Sequence, residues 1–329
     1  MFVTISRAES DYSGHSSLPL IADFLNMIYL QLVLTALFWA TVFHLGKYAI
    51  HFMSPLSVAA WRFLLAAIVL LPVVLWRTQI DLGALRRNVW PLLAMGVIGV
   101  FGFNTSLFYG LQHTSPVNAS LIMATNPAIT ALLAAWISGE TISVRQRLGF
   151  LISLIGVTVI VSQGSLHHLL TLSFSKGDLI IFIGNLCWAT YTVIPKRFIN
   201  RLQPMLITVA TITIGAVVLA LTAQSVSGDL FVIADWQLVV SVTAMALFGS
   251  VLAYIWWNEG VARLGASRVS IFLNLVPMFT VLIAIALGEL PSGAQLVGAL
   301  FVITGVIVTV NGQTRPRSTV IAETPAKIS

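Results

Sequence analysis

Three ionisable side chains, His44, Lys47 and Arg62, lie inside long apolar runs. In hydrocarbon such groups are costly, and they mark a substrate path, a proton relay or an internal partner. His44 and Lys47 are three residues apart, so on a helix they share a face with Thr41. Of the three, only His44 changes charge near neutral pH. Lys47 suits snorkelling or pairing with loop carbonyls. Arg62 presents a planar fork of donors, suited to a substrate carboxylate or to a fixed contact between helices. The acids are placed differently: Asp178 and Glu259 stand at the ends of apolar runs, and no Asp or Glu occupies the middle of one.

Uncharged polar and aromatic residues extend this set. Asn104, Asn126, Asn185 and Asn274 fall within apolar runs, where each needs a hydrogen-bonding partner or water. One alone reads as interhelical packing, whereas several together favour a hydrated cavity. Trp39, Trp188, Tyr191, Tyr254 and Trp257 are candidates for an aromatic chamber with hydroxyl and indole donors, against the alternative of bulk filling helix junctions. Pro127 and Pro277 each free a carbonyl and bend a helix, either as a gating point or as a static kink. Trp61, Trp76, Trp90, Trp136 and Trp236 lie nearer run ends, where interfacial anchoring explains them. Glu140 and Glu289 precede Ser143-x-x-Gln146 and Ser292-x-x-Gln295, two capping boxes, which gives them a structural role. Enzyme chemistry has no foothold. There is no H-E-x-x-H, no mid-run aspartate pair and no triad, and Cys187 is the sole cysteine, so neither a metal nor another cofactor is expected.

The elements that position these residues follow from composition. A hydrophobic fraction of 58% with 9% charged residues describes an integral membrane protein. The net charge of +6 clusters at run ends, so it is a topology signal and not a nucleic-acid footprint. A bilayer core of about 30 Å takes about 20 helical residues. Ten stretches qualify, near 28–50, 55–76, 89–111, 116–137, 145–162, 177–197, 204–224, 236–260, 266–287 and 293–311. A cytoplasmic N-terminus puts 14 of the 17 Lys and Arg on the inner side and only Lys47 and Lys176 outside. Both termini are therefore expected in the cytoplasm, and the 166–175 connection outside. Residues 1–26 read as a cytoplasmic leader without signal-peptide features, and 313–329 as a cytoplasmic tail.

The chain is also written twice. Gly110, Ser120, Pro127 and Thr130 recur 150 residues on as Gly260, Ser270, Pro277 and Thr280. Trp39-Ala40-Thr41 and Gly139-Glu140 recur at an offset of 149 as Trp188-Ala189-Thr190 and Gly288-Glu289. The units are 27–163 and 176–312, five spans each, and an odd number inverts the second copy in the membrane. Inverted repeats are a secondary-transporter architecture, with the solute site where they meet near mid-membrane. Gly149, Ser153 and Gly156, with Gly298 and Gly305, supply small residues for close packing, within one chain or in a homodimer.

Leu37-Phe38-Trp39-Ala40-Thr41, Pro55 with Trp61-Arg62-Phe63, Asn126-Pro127, Gly139-Glu140, Tyr254 to Trp257, Asn274-Leu275-Val276-Pro277 and Gly288-Glu289 together resemble the EamA family of the drug/metabolite transporter superfamily. The resemblance spans residues 28 to 311. It implies a ten-helix carrier of the inner membrane, commonly an exporter of amino acids or related metabolites. The expectation is an all-α integral membrane protein that exports a small amphipathic solute by alternating access. The alternatives are a broad-specificity drug or metabolite permease and, from another class, a receptor or scaffold that moves nothing. Carriers driven by protons or sodium commonly keep a mid-membrane carboxylate, so its absence predicts facilitated efflux or exchange.

Overall fold

The computed structural model describes residues 18–77, 80–138, 143–165, 167, 175–231 and 235–311, and among them there is no strand. The leader expected at 1–26 lies outside these residues up to 17, as do the tail and most of the 166–175 connection. Among the described residues ten longer helices follow one another, with a short one, Leu82–Arg87, between the second and the third. In the first half they are α1 (Leu18–Ala49), α2 (Pro55–Arg77), α3 (Val89–His113), α4 (Pro116–Ile137) and α5 (Val144–Val161). In the second they are α6 (Lys176–Phe198), α7 (Pro204–Val226), α8 (Trp236–Leu264), α9 (Ala266–Ala286) and α10 (Gly293–Asn311). Eight are long and apolar enough to cross a membrane; α5 and α10 hold the shorter apolar stretches Arg147–Ile160 and Gly293–Gly305. α1 starts at Leu18, ahead of the expected start at 28.

Local chemistry sets the ends. Pro116 and Pro204 open α4 and α7 in the first turn, where no amide hydrogen is required, and the Ser115 hydroxyl caps α4 by accepting from the Asn118 amide. Gly265, at φ 86°, makes the left-handed turn between α8 and α9. The expected box at α10 is present in both directions. The Ser292 amide donates to Gln295 Oε1 at 2.8 Å, and the Gln295 amide to Ser292 Oγ at 3.2 Å. Its counterpart involves the Gln146 side chain, which with Glu140 lies outside what is described.

Packing is mostly between repeats. α2 lies against α7 and α5 against α10, while α1 contacts α8 and α9 as α6 contacts α3 and α4. Swapping the two halves leaves that pattern unchanged, as a two-fold relation requires. The small-residue stripe is consumed in one of these pairs. A Cβ on Gly156 would stand 2.7 Å from the Gly298 carbonyl oxygen, and one on Gly305 2.5 Å from the Gly149 carbonyl oxygen. The close packing is thus within one chain, and this stripe is not open to a second copy. On the outside, Trp76, Trp90, Trp136 and Trp236 are exposed, as anchors should be. Trp61 is not one of them: its indole donates to the Leu230 carbonyl at 2.7 Å and packs inward.

Four helices are interrupted, in matched pairs. Pro127 and Pro277 have no amide hydrogen for the carbonyls of Met123 and Leu273. α4 accordingly breaks between Pro116–Met123 and Asn126–Ser138, and α9 passes through a 3₁₀ stretch, Ser270–Asn274, before Leu275–Ala286. The second pair was not legible in the sequence. α3 is π-helical over Met95–Gly102 and α8 over Met245–Leu252, an offset of 150 residues. π-Turns are rare and gather at functional sites.

Candidate functional site

The π-turns exist because of what they let through. Gly99 meets the Tyr191 ring so closely that a Cβ would stand 2.4 Å from Cδ2, and its counterpart Gly249 would bring a Cβ to 2.4 Å from Val42 Cγ2. The Gly249 carbonyl also accepts from two side chains, Trp39 Nε1 at 3.0 Å and Arg62 Nη2 at 2.8 Å.

Around this point the five expected rings come together. Trp188 is stacked on Tyr191 at 5.0 Å between centroids and meets Trp39 edge-on at 5.1 Å. Tyr254 and Trp257 lie 5.3 and 5.6 Å from Trp188. They form a packed cluster and not the walls of an open chamber. The free space beside Trp39, Trp188 and Arg62 is about 20 Å³, one water's worth. The indole nitrogens of Trp188 and Trp257 are buried without a hydrogen-bond partner, as is Asn274 Oδ1.

Two polar lattices flank the rings. In the first, Arg62, 1% exposed, donates from Nε to Ser250 Oγ at 2.8 Å, from Nη1 to Asn104 Oδ1 at 3.0 Å and from Nη2 to Gly249. This is the fixed inter-helix contact of the two expected alternatives, and it uses Asn104 as well. In the second, Asn258 Nδ2 donates to Tyr191 Oη at 2.8 Å and to Thr208 Oγ1 at 2.9 Å, and Thr211 shares a 3.3 Å contact with the same phenol. Thr208, Thr211 and Asn258 were missed by sequence reasoning, because threonine in a helix ordinarily bonds its own backbone.

Asn126 and Asn185 bond each other. Asn126 Nδ2 donates to Asn185 Oδ1 at 2.6 Å, and Asn185 Nδ2 to Thr125 Oγ1 at 2.8 Å and the Ile122 carbonyl at 3.1 Å. They clamp the break in α4 onto α6, and neither lines the two cavities described here.

At the end of the bundle that carries Lys47, a vestibule of about 1090 Å³ opens, walled by His44, Lys47, Asn118, Asp178, Glu289 and Gln295 among others. His44 Nε2 lies 3.0 Å from the Thr280 carbonyl oxygen of α9. Lys47 Nζ donates to the carbonyls of Leu111 and Thr114 at 2.5 and 3.1 Å, the loop pairing expected of it. Thr114 Oγ1 donates in turn to Asp178 Oδ1 at 2.5 Å. Just beyond the end of α7, Asp229 accepts from the Ser54 amide at 2.6 Å, from its hydroxyl at 2.8 Å and from the Ser57 hydroxyl at 2.5 Å. Burial alone would push the Asp229 carboxyl up, but the bonds from Ser57 and Ser54 outweigh it and hold it below the ordinary range. At the opposite end Asn88 plays the same part on the turn before α7, donating to the Asn200 carbonyl at 3.0 Å and accepting from its amide at 2.9 Å. Among the described residues no group of three or more His, Cys, Asp and Glu side chains is placed to hold a metal ion.

Comparison with known proteins fits this picture. The EamA-like transporter family model matches residues 26–162 and again 175–311. An uncharacterized transporter of Bacillus subtilis, YyaM, is 43% identical over 284 residues, 85% of this chain and 92% of its own. A probable amino-acid metabolite efflux pump of Salmonella typhimurium is 25% identical, over 85% of this chain and 93% of its own. A probable terminal-alkyne amino-acid exporter of Streptantibioticus cattleyicolor is also 25% identical, over 84% and 91%. One crystal structure superposes with a TM-score of 0.61 at 21% identity, covering 85% of this chain and 95% of that one, and so shares the fold. With both halves matched and the helices in place, the chain belongs to the EamA-like transporter family and is a membrane transporter, not an enzyme.

Proposed function

We propose that the chain exports amino acids or related small amphipathic solutes across the cell inner membrane by alternating access, as ten crossings in two inverted five-helix repeats, 27–163 and 176–312. The observation that carries the reading is the juxtaposition of a polar vestibule with a closed aromatic centre that keeps two indole donors, those of Trp188 and Trp257, unspent. Buried unpaired polar groups are costly, and a solute with an acceptor and an apolar body relieves that cost while the rings part around it. Trp39, Trp188, Tyr191, Tyr254 and Trp257 make the binding surface, Arg62 and Asn104 its rigid flank, and His44 stands at its mouth. Pro127 and Pro277 are the points about which α4 and α9 bend. With both termini cytoplasmic, the vestibule faces outward, the arrangement of a carrier ready to release or exchange at the outer surface. Relatives named as a probable amino-acid metabolite efflux pump and a probable terminal-alkyne amino-acid exporter support this solute class.

Counterflow in proteoliposomes tests it. Vesicles preloaded with single amino acids should accumulate the labelled solute, with the rate little changed by a pH gradient, and Trp188→Ala should abolish it at normal expression. Correctly folded protein that moves no member of the panel overturns the solute class. Gradient-driven accumulation that survives His44→Gln overturns the uncoupled mode.

A further inference from the structure

We propose that Lys47, Thr114 and Asp178 form a site in the vestibule wall that reads a zwitterion, taking the carboxylate of the solute on Lys47 and its ammonium on Asp178. The inference rests on the transport reading above and adds the place where both charges of the solute are held at the outer end of its path. Thr114 stands between the two charges, its carbonyl bonded to Lys47 and its hydroxyl to Asp178. An ammonium has three N–H groups. Two of those on Lys47 are spent on Leu111 and Thr114, which leaves one. A carboxylate has two oxygens; Oδ1 of Asp178 takes the threonine, and Oδ2 has no donor among the described residues.

The arrangement is built. Asp178 is 3% exposed yet borders the cavity. It reaches Thr114 only because Gly177 lets α6 touch the end of α3: a Cβ there would stand 2.5 Å from the Gly110 oxygen and 2.8 Å from the His113 carbonyl carbon. Ser175 Oγ fastens the same contact on the His113 carbonyl at 2.7 Å. Opposite charges placed for stability alone close into an ion pair with their remaining bonds satisfied. Here no Lys47–Asp178 ion pair forms among the described residues, and one threonine holds the charges apart, each with one bond to give. Glu289 faces the same space within electrostatic reach of Lys47. Two acids against one lysine repel a simple carboxylate and admit a molecule that also carries a cation.

The test uses the full chain in nanodiscs, with thermal-shift titration of the proteinogenic amino acids. For each responder the matching amine and the matching carboxylic acid are titrated alongside. The wild type should prefer the zwitterion to either half-molecule by about tenfold, the size of one charge-assisted hydrogen bond. Asp178→Asn should weaken the zwitterion and the amine about tenfold while the acid binds no more weakly than to the wild type, since one repelling charge is gone, and Lys47→Gln should weaken the zwitterion and the acid about tenfold while the amine binds no more weakly. If either variant does not fold, Asp178→Glu and Lys47→Arg carry the same test through a shifted ratio of amine to acid affinity. A wild type without zwitterion preference overturns the proposal, and so do variants that scale all three ligands equally. Counterflow of a solute that is not a zwitterion, with no zwitterion bound, removes this inference and leaves transport standing. If nothing binds and nothing moves, both fall.

Discussion

The Arg62 lattice and the Thr211 lattice occupy equivalent places in the two repeats, since Arg62 and Thr211 are 149 residues apart in register, yet they are made of different chemistry. One holds a buried guanidinium with three neutral acceptors and no carboxylate within ion-pair reach among the described residues. The other is hydroxyls, an amide and a phenol. A guanidinium cannot lose its charge, and pulling it from its acceptors leaves a bare ion in a low dielectric. Hydroxyl and amide bonds between membrane helices are worth about 0.6 kcal/mol on average, and water replaces them. On the alternating-access reading proposed above, the difference separates a permanent frame from a gate: Arg62 would keep α2, α3 and α8 fastened through the cycle, and α6, α7 and α8 would part at the Tyr191–Asn258–Thr208 contacts when the second face opens.

Breaking the frame should therefore produce the largest effect. Arg62→Met orphans Asn104 Oδ1 and Ser250 Oγ and should lower stability by roughly 3 kcal/mol, with flux lost, as read by thermal unfolding in detergent and by counterflow. Arg62→Lys should recover only part, because an ammonium does not reproduce the fork. Next come the two π-turns. Gly249→Ala and Gly99→Ala drive a methyl into Val42 and into Tyr191 respectively and should each cost about 1–3 kcal/mol. Gly249→Ala should do more damage, since its Cβ also approaches Arg62 Nη2 to 3.3 Å. On the gate side, Thr211→Val should change stability by about 0.6 kcal/mol while altering the transport rate measurably.

The smallest effect compares the two end clamps. The folded chain holds Asp229 below the ordinary carboxyl value of about 3.9, so it contributes stability above that value and loses it as pH falls through the lower, folded value. The gap in melting temperature between wild type and Asp229→Asn should be constant above about pH 5 and narrow below about pH 4. Asn88→Ala, at the neutral clamp, should show a gap that does not vary with pH.

What could be read in advance divides along the same physical line. Hydropathy, repeat offsets and proline are properties of one segment, and they were enough for the helices, the α4 and α9 breaks, the gathered aromatics and the carbonyl pairing of Lys47. The π-turns are a tertiary decision: Gly99 and Gly249 were visible as glycines, but not the ring and guanidinium that need the space. Asn126 and Asn185 looked like cavity polar groups until each proved to be the other's partner. Trp61 looked like an interfacial anchor because nothing nearby in the chain announces the Leu230 carbonyl. Asp178 read as a span-end acid, and only the approach of α6 to α3 at Gly177 and Gly110 sets it beside Thr114 and Lys47.

The separation of frame from gate is tested most directly by locking the gate. In a Cys187→Ala background, Thr208→Cys with Asn258→Cys puts two thiols where the wild-type side chains lie 2.9 Å apart. Counterflow is then measured in proteoliposomes before oxidation, after oxidation and after reduction. The reduced protein should transport, the disulfide form should not, and reduction should restore the rate. Undiminished counterflow in fully cross-linked protein would show that α7 and α8 do not part there, and would contradict the assignment of this lattice as the gate.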